Sequence, residues 1–198
     1  MPDARGAGRV ARLFLFLLLV AGPARAADES PEALWKRLRE GGHVVLIRHA
    51  ATVPGLGDPP GYLVDDCASQ RNLSAEGRAD AARIGAAFKR EGVAIDRVYS
   101  SPWCRCLDTA RIAFGSAEAW EPLGSFFDAP HREAQMTESA KRRISGYEAK
   151  KPRGNMVMVT HNVNIAALTK LSVGTGEIVV VKPDGCCSLR VIGRMEIR

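Results

Sequence analysis

Zinc-ligand spacings are missing from this 198-residue chain: it has no C-x-x-C and no H-x-x-x-H, so no zinc site is expected. No arginine-rich run with interleaved aromatics is present, which removes the usual footprint of a nucleic-acid binder. No internal repeat and no linker divides the chain, and its length suits one domain of roughly 100–200 residues. After the first 22 residues no apolar run is long enough to cross a bilayer. Histidine is scarce, at four residues, so each one can be weighed separately.

What is present begins with a leader pattern. MPDARGAGRVAR carries three arginines, LFLFLLLVAG is continuously apolar, and Ala24-Arg25-Ala26 is a small-x-small cleavage signal. Together these predict a secretory signal peptide over residues 1–26, because the apolar run is too short for an ordinary spanning helix. An uncleaved anchor is the alternative. The mature chain is then expected to be a single domain over residues 27–198, periplasmic or secreted, with no stable membrane span. Losing four arginines and one aspartate lowers the formal charge from +6 to +3. That modest excess suits anionic small molecules or an anionic membrane surface.

Export also permits disulfides, and five cysteines leave at least one thiol unpaired. Cys104 and Cys106 are two apart, where a helix points them to different faces, so they are not expected to pair with each other. Cys67 could bridge to Cys104 or to Cys106. Cys186 and Cys187 read as small residues in a turn after Asp184-Gly185.

Along the chain, Leu34 and Leu38 at helical spacing predict a helix over Pro31 to Glu40, ended by Gly41-Gly42. A strand over 43–48 follows, then a loop over 51–70 dense in Pro, Gly and Asp. Structureless loops of that length are usually functional or disordered. Ser74 can cap a helix reaching about Glu91, with Ala81, Ile84 and Phe88 on one face. A second strand is predicted over 95–99. Ser101 as N-cap and Pro102 in the first helical position then predict a helix start, with Leu107, Ala110 and Phe114 toward the core. A third strand over 119–123, a polar helix over 131–149, a fourth strand over 155–160 and a helix from Asn162 complete the alternation. EIVVVK and SLRVIGRM close the chain as strands, read as antiparallel. The fold class is α/β: a three-layer sandwich with a mostly parallel central sheet and helices on both faces.

Three strand ends carry polar chemistry: Arg48-His49 after HVVLI, Ser100 to Arg105 after the second strand, and His161-Asn162 after MVMVT. Ligands of such sheets gather outside the carboxyl ends of the strands. Arg105 in a first helical turn opposes the helix dipole, and an anion docked there would satisfy both the arginine and the free N–H groups. Arg48 and His49 are therefore expected to be tolerated at the end of a buried strand because a phosphate binds there. His43 lies at the other end of the same strand, about 20 Å away at ~3.3 Å per residue, and reads as structural. His131 reads as a surface residue.

Arg48-His49, SSPWCRCLDTA (100–110) and THN (160–162), in that order, resemble the histidine phosphatase superfamily, related to phosphoglycerate mutases. The likeness runs roughly from Gly41 to Leu171. The family's Arg-His-Gly appears here as Arg48-His49-Ala50, and NLSAEGRADAARIG (72–85) resembles the helix after its first loop. DDCASQRNLS (65–74) and the middle motif are similar to a secreted branch that includes lipopolysaccharide core heptose(II)-phosphate phosphatase.

The resemblance implies a phosphoglycerate mutase-like fold and a phosphohistidine formed on His49 as nucleophile. It implies that Arg48, Arg105 and Asn162 hold the phosphate, and that His161, if protonated, adds a donor. Neither a metal nor a cofactor is required. Relatives place a glutamate shortly after the third strand, but here Leu123-Gly124 is followed by Ser125. Asp128, the nearest downstream carboxylate, is taken as the general acid, with Glu121, Asp58, Asp65 and Asp66 as alternatives. The expected activity is hydrolysis of phosphomonoesters, with a phosphorylated small molecule or an envelope glycolipid as partner and an envelope sugar phosphate as one substrate. A phosphomutase and a non-catalytic anion-binding module are the alternatives. A cysteine-based phosphatase is excluded, because no cysteine is followed six positions later by arginine.

Overall fold

Residues 29–148, 153–184 and 188–197 are described by the computed structural model. The leader expected over residues 1–26 and the turn at Cys186 and Cys187 lie outside the described residues. In chain order the elements are α1 (Pro31–Glu40), β1 (Val44–Arg48), α2 (Ala75–Arg90), β2 (Ile95–Ser100), α3 (Cys104–Phe114), β3 (Glu118–Ala119), α4 (Glu133–Glu148), β4 (Asn155–Thr160), α5 (Asn162–Thr169), β5 (Ile178–Asp184) and β6 (Ser188–Met195). The six strands form one sheet in the order β3-β2-β4-β1-β5-β6. The first four of these neighbours run parallel, while β5 and β6 join antiparallel.

The sheet is covered on both faces, which is why β1 and β4 are apolar throughout instead of alternating. Side chains still alternate in direction along each strand. Val45 and Ile47 of β1, with Val157 and Val159 of β4, pack under α1, α2 and α3. Val44 and Leu46, with Met156 and Met158, pack under α4 and α5. All four apolar residues of β1 are fully buried, each contributing about 1.5–3 kcal/mol of apolar burial.

Local chemistry sets the helix ends. Ser74 accepts the Gly77 N–H at 3.0 Å and starts α2. Gly77 has no substitute there, because a Cβ would overlap the Ala51 carbonyl. Three expectations are corrected. The helix read from Ser101 begins at Cys104 with Trp103 as N-cap, the Ser101 hydroxyl accepting the Trp103 N–H ahead of the helix and bonding His161; its buried apolar face includes Cys106 and Ala110, with Leu107 only partly covered. The third strand pairs over Glu118–Ala119 only, after which Glu121–Leu123 turns as 3-10 helix. The polar helix starts at Glu133, and His131 sits in a preceding 3-10 turn over Pro130–Arg132. Among the described residues no helix is long and apolar enough to cross a membrane.

Candidate active site

The register of β1 against β4 builds the centre of the site. Arg48 pairs with Thr160, so the next residues, His49 and His161, emerge side by side at the carboxyl edge. Their rings stand edge to face with centroids 5.5 Å apart. On the other side of β4, Ser100 pairs with Val159, which brings Ser101 beside His161. The helices leaving β1 and β4, α2 and α5, go to opposite faces of the sheet, and the crevice opens between them. A cavity of about 230 Å³ lies there, lined by Arg48, His49, Asp58, Arg71, Arg105 and His161, with Asn162 and Asp128 nearer its edge. Two larger hollows, of about 690 and 810 Å³, flank β2 and contain no histidine.

His49 is 4 % exposed, and its Nδ1–H donates to the Ala50 carbonyl at 2.9 Å. That bond leaves the Nε2 lone pair uncommitted. Burial, aided by the charges of Arg105, Arg48 and Arg71, pushes the imidazole pKa down to about 3 against the pull of the Ala50 carbonyl. His49 is therefore neutral over the whole working range. Because kcat/KM reports groups of the free enzyme, its acid limb is expected near pH 3, once the substrate's own ionisation is corrected for. A limb centred near 6.5 would reject this environment for His49.

His161 is wedged more tightly. The ring of Trp103 stands edge to face against it at 5.5 Å, and the Cys106 sulfur lies 3.5 Å from its Nε2. The Ser101 hydroxyl accepts the Trp103 N–H at 3.2 Å and so can donate to His161 Nε2 at 2.8 Å. The imidazole then carries its proton on Nδ1. Burial first, then the nearby His49 and arginines, hold its pKa well below the ordinary histidine value. In the free protein this environment favours a neutral His161 whose Nδ1–H is the available donor.

Three guanidiniums surround the pair. Arg48 donates from NH1 to the Val173 carbonyl at 2.6 Å, and its Nε is buried with no partner. Arg105 donates to Asp58 at 2.7 Å, and its Nε is likewise buried without a partner. Orphaned buried donors carry a desolvation penalty unless a ligand meets them. Arg71 is the residue that sequence reasoning missed. It lines the cavity, donates from Nε to the Gly57 carbonyl at 2.7 Å and from NH1 to the Thr52 hydroxyl. Its only signal was its place in DDCASQRNLS.

Asp58 turns out to be the counter-ion of Arg105. Its carboxylate accepts from Arg105, from the Arg71 N–H at 3.0 Å and from the Trp103 indole at 3.1 Å. Burial alone would raise its pKa, but those bonds and the Arg105 charge hold it below the ordinary value. An ionised, triply bonded carboxylate is a poor proton donor. Of the other candidate acids, Asp128 is exposed at the cavity edge, Glu121 pairs with Arg132, and Asp66 caps the 3-10 turn at Cys67–Ser69. Three arginines against Asp58, with both histidines neutral, leave the cavity interior at a net +2. That charge complements a phosphomonoester dianion.

The helix terminus contributes less than expected. The Trp103 and Cys104 N–H groups are taken by Ser101 and by Gln70 Oε1, the latter at 2.9 Å. Two of the N–H groups at the start of α3 are thus already engaged within the protein. The oxygen of Asn162 accepts the Val173 N–H at 2.8 Å, so what Asn162 can offer an anion is its NH2. Cys67 is joined to Cys104 across 37 residues, which by loop entropy contributes about 4 kcal/mol. Cys106 is buried and free, and burial pushes its thiol up to about 12. Through Asp58, Cys67 and Gln70, the long loop is pinned to residues 103–105.

Fold and cavity together define a phosphoglycerate mutase-like α/β protein with a histidine pair set among guanidiniums. Residues 44–123 match the histidine phosphatase superfamily (branch 1). Among solved structures, the chain is similar to the protein histidine phosphatase SixA complexed with tungstate, at 19 % identity and TM-score 0.54, covering 78 % of this chain and 96 % of that one. YhfR of Bacillus stearothermophilus gives 17 % identity and TM-score 0.57, covering 79 % and 99 %. A mycobacterial glucosyl-3-phosphoglycerate phosphatase gives 17 % and 0.56, covering 75 % and 96 %. No curated protein matches by sequence.

Proposed function

We propose that this protein is an exported phosphatase that hydrolyses phosphomonoesters through a phosphohistidine on His49. The observation that carries the reading is a neutral imidazole with a free Nε2 in one cavity with three guanidiniums. Nε2 attacks phosphorus, the bond to the leaving oxygen breaks, and its electron pair stays on that oxygen. Arg48, Arg71 and Arg105 stabilise the charge on the equatorial oxygens, and the NH2 of Asn162 adds a donor. Asp128, at the cavity edge, is the carboxyl group assigned to protonate the leaving group. Water then attacks phosphorus, giving a proton to the Asp128 carboxylate; the P–N bond breaks, and His49 recovers its lone pair.

The leader pattern supports export, and the likeness of DDCASQRNLS supports an envelope sugar phosphate or phosphorylated glycolipid as substrate. A rapid-quench experiment with a radiolabelled aryl phosphate tests the reading. Label should map to the His49 peptide, and released inorganic phosphate should equal released aryl alcohol. Transfer of label to an added alcohol instead of water would favour a phosphomutase. No label and no turnover would leave an anion-binding module.

A further inference from the structure

Five large hydrophobic side chains are exposed among the described residues: Val53, Leu56, Leu63, Ile112 and Phe127. Two of them, Leu56 at 88 % and Phe127 at 54 % exposure, line the cavity that holds His49. Leu56 is held out by its surroundings. It lies between Gly55 and Gly57, both at positive φ (141° and 68°), a backbone that suits glycine. The next anchors are firm: the Gly57 carbonyl accepts from Arg71, and Asp58 is clamped on Arg105. A leucine exposed to water two residues from Asp58, the partner of Arg105, has no core to serve.

The polar groups at the cavity edge are Asp128, the NH2 of Asn162 and Ser125. Ser125 accepts the Phe127 N–H at 3.2 Å, Val163 is apolar, and the Asn162 oxygen is committed to Val173. Deep in the cavity the charge calls for phosphate; at its edge Leu56 and Phe127 add an apolar surface with no partner in the fold.

We propose that the substrate carries an alkyl or aryl group directly beside its phosphate, and that Leu56 and Phe127 grip that group. The inference rests on the phosphatase reading above and narrows it. Among envelope phosphoesters it favours those with an apolar body over a bare sugar phosphate. Full transfer of one methylene from water is worth about fourfold. At a half-open edge about half of that is expected, or roughly twofold per methylene.

The experiment compares kcat/KM for ethyl, propyl, butyl and pentyl phosphate, all below their aggregation concentrations, with phosphoserine as the polar reference. The expected result is a rise of roughly eightfold from ethyl to pentyl, with phosphoserine below butyl phosphate. In a Leu56→Ser/Phe127→Ser double variant the series should flatten; both side chains are exposed, so the fold should hold, and circular dichroism checks it. Turnover that is flat along the series, or fastest on phosphoserine, overturns the proposal and leaves the phosphatase intact. A slope that survives in the double variant overturns the role of the two residues. No turnover on any ester and no label on His49 removes the phosphatase reading and this inference with it.

Discussion

His49→Ala should lose all measurable turnover and all covalent phosphate label, whereas His161→Ala should keep both at a rate lower by about 10²–10³. The two histidines stand 5.5 Å apart at matching strand ends, so position alone does not separate them. Their hydrogen bonds do. Nδ1 of His49 is committed to its own chain, which leaves Nε2 with a free lone pair. Nε2 of His161 is committed to Ser101 and crowded by Cys106, and the ring is wedged between Trp103 and His49. It can donate a proton from Nδ1 to a phosphate oxygen, but it cannot swing to attack phosphorus. The loss on His161→Ala is therefore that of one transition-state donor, while the loss on His49→Ala is that of the bond-forming atom. Label recovered on the His161 peptide, or label surviving in His49→Ala, would reverse the assignment. Ser101→Ala gives an internal check: it should lower kcat with little change in KM, because it releases the tautomer of His161 and leaves the guanidiniums in place.

The parts of the site carried by β1 and β4 were legible because both strands are buried on two faces. An apolar run that stops at a charged pair marks where such a strand leaves the core, and parallel pairing brings two such ends together. Of the last two strands, β5 was legible for the same reason, its apolar run Ile178 to Val181 being fully buried. The third strand was not: Pro122 lacks an N–H, and the chain turns into 3-10 helix after two paired residues. The start of α3 misled because Ser101-Pro102 has the form of a cap, while the hydroxyl caps only the Trp103 N–H ahead of the helix and also bonds a histidine 60 residues away. Asp58 is the sharpest case. Nothing local distinguishes it from Asp65 or Asp66, since its partner is 47 residues away and the long loop gives no periodicity to place it. Only the tertiary pinning of that loop, through Cys67 to Cys104 and Gln70 to the Cys104 N–H, shows which acid enters the cavity.

Asp58→Ala should destabilise the protein by about 3–5 kcal/mol in phosphate-free buffer, the usual loss when one partner of a buried ion pair is removed. The two side chains are 3 % and 5 % exposed, and the change also strands the Arg71 N–H and the Trp103 indole. Inorganic phosphate should then restore part of the loss, because it can take the place of the missing carboxylate on Arg105. At a hundredfold excess over Kd, binding to the folded state alone is worth about 2.7 kcal/mol. The wild type should gain less, since its phosphate must share Arg105 with Asp58. The pH dependence has a definite sign. The folded pKa of Asp58 lies below the ordinary 3.8, so its contribution is present above that value and is lost as the pH falls through the folded one. His49, neutral down to about 3, also loses stability as the pH drops from 6.5 toward 3, but it does so in both proteins. The difference between the two denaturation curves thus isolates Asp58, and it should shrink below pH 4. Asp58→Asn keeps an acceptor without the charge, and it should fall between the two in stability while binding phosphate more tightly than wild type. Equal phosphate stabilisation of wild type and both variants would mean that the anion does not meet Arg105 at all.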